Sequence, residues 1–200
     1  MTKKSLPKII GIFGFSILII SLIAAFNKVN NWYFLAVVGA WLFFDYLASN
    51  KTDKTALQLL IKDKKKFIKL YFLIFLLGCG IELIGRFIFN LWYYPLIKSP
   101  LFEIILLIYY PLILFSLREM YVFLDYSIRK KIISFITAVL LGILIWEIPN
   151  YFSKDWIYTI PIYSSLEILD LHLIVIVGWS ILIALPYYIY GTLGLNKNPN

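Results

Sequence analysis

The sequence predicts an all-α polytopic membrane bundle of six transmembrane helices, and three observations predict it. Hydrophobic residues make up 62% of the 200 positions and charged residues 15%, with a mean hydropathy of +0.84, against roughly 45–50% apolar usage in soluble domains. The apolar residues gather in six runs of about the 17–25 residues that a helix needs to cross a bilayer. These runs also lack the apolar/polar alternation of barrel strands, and unpaired backbone groups are not tolerated in hydrocarbon, so the runs read as helices.

Taken in order, the spans fall near 9–26, 32–48, 67–91, 100–117, 132–150 and 169–190. Lys3, Lys4 and Lys8 before the first run resemble a signal peptide, but an apolar stretch reaching Phe26 outlasts the usual h-region of about 7–15 residues. It is therefore read as a span. After the second, Thr55 to Ile61 followed by Lys62-Asp-Lys-Lys-Lys66 suits a short interfacial helix or a basic loop acting only as a topology signal. The third carries Glu82, Arg86 and Asn90 at steps of four; the fourth opens with Glu103; the fifth closes with Glu147 and Asn150; Glu167, Asp170 and His172 lead into the sixth. No stretch has the composition of an interdomain linker, so residues 1–200 read as a single integral membrane domain.

Orientation follows from the cations. One set of connections holds fifteen lysines and arginines, including Lys62 to Lys69 and Arg118 to Lys131, and the opposite set holds Lys28, Lys98 and Lys154. This bias places both termini in the cytoplasm, with the cell membrane as the expected location. A net charge of +8 falls almost entirely between the apolar runs, so its expected partner is the anionic membrane surface and not nucleic acid. Cys79, alone, forms no intrachain disulfide, and one His with one Cys makes a poor metal set, leaving carboxylates as ligands for a hard cation. No nucleotide-binding glycine loop, zinc-protease helix, paired-cysteine motif or serine elbow occurs, and no cofactor is expected.

With this topology, most acids outside the cytoplasmic loops collect in the outer half of the bundle; Asp45 is the exception. A charge within a span faces the interior, pairs, and is functional by default. Glu82 and Arg86 stand at i and i+4, a spacing that allows them to pair along one helix face, with Asn90 continuing it. They read either as a packing clamp or as one wall of a site.

An internal repeat sharpens the choice. Glu82, Asn90, Trp92, Tyr94 and Glu103 are echoed by Glu147, Asn150, Trp156, Tyr158 and Glu167: in both copies Tyr stands two after Trp, ten residues separate Trp from the following Glu, an acid precedes Trp by nine or ten, and Asn lies between them at different spacing. An interfacial aromatic belt explains Trp and Tyr but not acids at matched offsets. Asn31-Trp32-Tyr33 is a weaker third copy, without the acids. Carboxyl groups beneath an aromatic rim can divide into an ionised and a protonated partner. Glu82, beside Arg86, suits the first role and Glu147, flanked by Trp146 and Ile148, the second. Nearby aromatic faces could steady a developing cation, as proton-initiated chemistry on an isoprenoid double bond requires. The same groups could bind a lipid headgroup or a cation.

An intramembrane acid, Trp-x-Tyr, then a stretch such as Pro100-Leu-Phe-Glu103 resembles the small polytopic lycopene cyclase domain of carotenoid synthesis and related membrane proteins. Two departures stand out: Ile104 occupies the place of that family's second acid, and Ser164-Ser-Leu-Glu167 lacks the proline. The resemblance covers roughly 80–105 and 145–170 and implies a cofactor-independent cyclase or isomerase of a polyisoprenoid. Three expectations result. An enzyme would use Glu82, Glu103, Glu147 and Glu167 as catalytic groups, with Arg86, Asn90, Trp92, Tyr94, Asn150, Trp156 and Tyr158 contacting substrate. A lipid- or ion-binding transporter would use the same cavity. A structural subunit would use the polar groups only to join helices.

Overall fold

The computed structural model describes the backbone of residues 6–159, 167–168 and 171–195 and the side chains of 6–159 and 175–195. Among these the protein is helical almost throughout: α1 (Lys8–Phe26), α2 (Trp32–Ser49), α3 (Ala56–Lys62), α4 (Lys64–Glu82), α5 (Pro100–Ile128), α6 (Lys131–Gly142), α7 (Ile148–Ser153) and α8 (Leu173–Thr192). Six helices, taken as Lys8–Phe26, Trp32–Ser49, Lys64–Ile88, Pro100–Ile128, Lys131–Ser153 and Val175–Thr192, are long and apolar enough to cross a membrane. The chain is an integral membrane helix bundle.

Local chemistry sets the helix ends. Thr55 and Gln58 form a capping box that starts α3, satisfying two of the amides a helix start leaves open, and the Asp63 side chain accepts from the Lys66 amide to start α4. Arg129, at φ 60°, ends α5 in the left-handed region. The α1–α2 pair approaches closely at Gly14 and Gly39, where an added Cβ would lie 2.6 Å from the Phe43 amide nitrogen or 2.5 Å from that of Leu18. Small residues of this kind bring helices together where hydrocarbon gives no hydrophobic drive. The largest buried cluster sits between α2, α5, α6 and α8, around Val37, Ala40, Leu117, Met120 and Ile183.

The fourth span corrects the sequence reading. The helix does not stop at 117 but runs 29 residues to Ile128, so Arg118 is not a loop cation. Arg118 and Glu119 are buried, 2% and 0% exposed, and pair at 2.8 Å; together they remove the charge that a hydropathy reading takes for the end of a span.

Two departures from α geometry distinguish the third and fifth spans. Leu83–Ile88 continues α4 as a π-helix, and Ile143–Glu147 joins α6 to α7 as another. Such segments are rare and concentrate at functional sites. In this protein one begins immediately after Glu82 and the other ends on Glu147. Beyond them the chain forms two-residue strands, β1 (Trp92–Tyr93) and β2 (Ile157–Tyr158), which pair antiparallel with Trp92 opposite Tyr158 and Tyr93 opposite Ile157. A second ribbon pairs β3 (Glu167–Ile168) with β4 (Leu171–His172). The side chains of Glu167 and His172, and Asp170 as a whole, lie outside the described residues.

Candidate functional site

The register of the β1–β2 ribbon makes the sequence repeat a spatial one. Tyr93 and Ile157 are equivalent positions that pair with each other, so a local two-fold passes between them and exchanges Trp92 with Trp156 and Tyr94 with Tyr158. Side chains alternate across a strand. All four aromatics therefore face one way, and all four line a cavity of about 920 Å³, while Tyr93 is exposed on the other side.

Each copy ties its tyrosine to its acid. Tyr94 Oη donates to Glu82 Oε1 at 2.8 Å, and Tyr158 Oη donates to Glu147 Oε1 at 2.7 Å. The indole of each copy, Trp92 for Glu82 and Trp156 for Glu147, stands beside the same carboxyl. Burial, reinforced by these carboxylates, pushes the Tyr94 and Tyr158 hydroxyls well above the usual phenol range, so both remain protonated donors. The copies then diverge. Glu147 also accepts from Trp179 Nε1 of α8 at 2.9 Å, lines the cavity and pairs with no cation among the described residues. Glu82 sits behind Tyr94 and Tyr110, and its buried Oε2 takes no direct hydrogen bond.

Arg86 does not pair with Glu82 as the spacing of four suggests. Its guanidinium reaches across to α5 and bonds Glu103 at 2.8 Å, with the faces of Phe87 and Tyr94 at 4.9 and 5.3 Å. The π-helix supplies the reason: its wider turn breaks the i, i+4 alignment of an α-helix. Glu103 is thus a partly exposed ion-pair partner at the rim. Asn90 is exposed, at φ 50°, and turns the chain out of the helix; its carbonyl accepts from the Thr159 hydroxyl. Asn150 is buried and fastens the second loop, accepting from the Trp156 amide at 3.0 Å and donating to the Trp156 carbonyl at 2.9 Å.

The cavity itself is almost wholly apolar, walled by α4, α5 and α8 below the aromatic ribbon. Gly85 admits the Trp92 indole, since a Cβ there would fall within that ring. Tyr33 of the Asn31-Trp32-Tyr33 copy joins the wall. Its hydroxyl is buried and makes no hydrogen bond among the described residues. That third copy forms no strand, because Trp32 and Tyr33 already belong to α2; Trp32 stacks 6.3 Å from both Trp146 and Trp156.

Comparison with protein-family models, curated proteins and solved structures finds no match for this chain.

Several members of the site escape a reading by charge and spacing. Trp179 and Tyr110 lie within apolar runs and look like lipid-facing aromatics. Asp155 sits between Lys154 and Trp156 and looks like a solvated loop acid, yet it is 2% exposed. Burial pushes its carboxyl up to about 6, opposed by the Asn31 amide at the start of α2. Of a second acid cluster, at the α3 end of the bundle, charge and hydropathy single out Asp45 but not Glu119. There Glu119 accepts from Arg118, from the Ala56 amide and from Tyr190, and Asp45 accepts from the Leu57 amide and Trp41. Among the described residues no three His, Cys, Asp or Glu side chains come together as a metal site.

Proposed function

We propose that this protein is a cofactor-independent membrane enzyme that isomerises or cyclises an unsaturated apolar lipid, an isoprenoid being the natural class. The observation that carries this reading is the pairing of two buried carboxyls, each gripped by the hydroxyl of its own Trp-x-Tyr strand, over one large apolar cavity. Glu147 is the proton donor in this scheme. Its partners are a phenol and an indole, neither of which demands a negative charge.

A proton delivered from Glu147 to a carbon–carbon double bond leaves a carbocation in the cavity. Indole and phenol faces of the ribbon stabilise it through their quadrupoles. Loss of a proton from a neighbouring carbon, through Tyr94 to Glu82, restores a double bond at a new position, with or without ring closure in between. One proton enters and one leaves, so the reaction needs no redox or nucleotide partner. The resemblance to the small lycopene cyclase domain points to the same chemistry. Arg86, held by Glu103, and Asn150 position the ribbon in this scheme.

The test is lipid and pigment analysis of an isoprenoid-producing host expressing the wild type, Glu147→Gln or Glu82→Gln. A new isomer is expected with the wild type and is lost with either variant. If no lipid species changes with wild-type expression, the enzyme reading fails.

A further inference from the structure

We infer that the cavity takes its ligand sideways from the bilayer, through a gap between α4 and α8 whose two lips are Gly80 and Gly178, and that this ligand is a neutral lipid. The inference rests on the reading above that the cavity is a ligand site.

The wall of the cavity is at the same time part of the outer surface of the bundle. Leu76 of α4, Ile84 of its π-helical extension, and Val177 and Ile181 of α8 line the cavity, yet each is between 47% and 52% exposed. All four lie in helices apolar and long enough to span the membrane, so what they face at that depth is lipid. The opening is therefore reached by molecules already dissolved in the bilayer.

Gly80 and Gly178 stand out among the lining residues. Both line the cavity, one from each facing helix, and a Cβ built at either meets nothing within 4 Å among the described residues. Other glycines of these spans differ: a Cβ at Gly78 would approach Tyr110 to 2.7 Å, and one at Gly142 would approach Trp179 to 3.1 Å. Gly78 is held to glycine by packing, and at Gly142 the fit against Trp179 is close. Gly80 and Gly178 are not held in this way, and a glycine in mid-helix otherwise weakens the helix. What their absent side chains leave is a passage.

The lining also selects charge. It offers the Glu147 carboxyl, tyrosine hydroxyls and indole N–H groups, and no Lys, Arg or His occurs among the described lining residues. A phosphate or carboxylate would enter this apolar space without a counter-charge, and burying an unpaired charge is costly. A neutral chain meets no such barrier.

Four of the six tryptophans, Trp92, Trp146, Trp156 and Trp179, line the cavity and report its occupancy. In lipid vesicles carrying the full chain, energy transfer from tryptophan to all-trans-retinol, a neutral polyene alcohol, should rise saturably, and retinoate, its anionic counterpart, should not compete. Gly80→Leu and Gly178→Leu should each slow the onset of transfer at least tenfold, with the thermal midpoint unchanged. Saturable transfer that is as fast in the leucine variants as in the wild type overturns the portal and leaves the ligand-site reading standing. Absence of saturable transfer in the wild type overturns both. Equal competition by retinoate overturns the neutral-ligand claim. Should a leucine variant fail to fold, Gly80→Ala and Gly178→Ala carry the test, with a smaller slowing expected and unchanged kinetics counting against the portal.

Discussion

Asp45 and Glu119 at the α3 end of the bundle, and Glu82 and Glu147 at the ribbon end, are all buried carboxyls within membrane-spanning helices, and their surroundings differ in kind. Glu119 is matched by a guanidinium, a backbone amide and a phenol, and Asp45 by an amide and an indole. These partners belong to packed helix and helix-start backbone, with Arg118 lying 3.8 Å over the Tyr190 ring. The ribbon-end acids are each held by an uncharged donor of the two-stranded roof, and Glu147 faces open volume while Glu82 stands behind the tyrosines that line it. Burial alone therefore does not mark a functional acid. The useful distinction is whether its partners neutralise it against a packed wall or leave it addressed to a space that something else can fill.

The sharpest way to break this comparison is Glu147→Gln. Losing a general acid costs about 10²–10⁴-fold in rate, so isomer formation in lipid extracts should fall by that factor while the unfolding midpoint barely moves. A large drop in stability with unchanged turnover would place Glu147 in the same class as Glu119. The converse test is Arg118→Met, which leaves Glu119 buried without its cation; loss of about 3–5 kcal/mol is expected from unfolding in detergent, and the double change Arg118→Met/Glu119→Gln should recover most of it. An Arg118→Met protein as stable as the wild type would deny the α3-end cluster its structural role.

A smaller effect separates Gly80 of α4 from Gly85 of its π-helical extension. Gly85→Ala forces Trp92 aside and should cost about 1–3 kcal/mol, as overpacking does, with a shift in tryptophan emission; Gly80→Ala should cost almost nothing. Equal costs would mean that the roof is not seated on Gly85. The smallest effect concerns Asp155. Its carboxyl, at about 6 in the fold against about 3.9 in an unfolded chain, contributes stability that is complete below about pH 4 and is lost as pH rises to about 6. The wild-type midpoint should fall across that window relative to Asp155→Asn, and parallel curves would show that Asp155 does not titrate there.

Much of this was legible in the sequence, for physical reasons that can be named. Six helices follow from runs whose length matches a bilayer, and that requirement is indifferent to detail. The matched offsets of Trp92, Tyr94 and Glu103 with Trp156, Tyr158 and Glu167, each Trp preceded nine or ten residues earlier by an acid, were legible because a repeat survives as spacing. The partners were not. The spacing of Glu82 and Arg86 allows a pair only in α-helical geometry, which the π-helix at 83–88 replaces, and nothing in its composition announces a π turn. Arg118 was read as a loop cation because its neutralisation depends on a neighbour one residue away, a spacing at which helix side chains do not ordinarily face each other. Trp179 and Tyr33 reach the site only through the way helices pack, which hydropathy does not encode.

The ribbon has one further implication. A contact in which residue i of one copy meets residue j of the other, and j meets i, is what two identical chains make about a two-fold axis. Trp92 opposite Tyr158, with Tyr93 and Ile157 on the axis, has that form within a single polypeptide. The two hairpins meet as the halves of a symmetric dimer would, and covalent linkage is what has freed one half to keep its acid against Trp179 while the other spends its arginine on the rim.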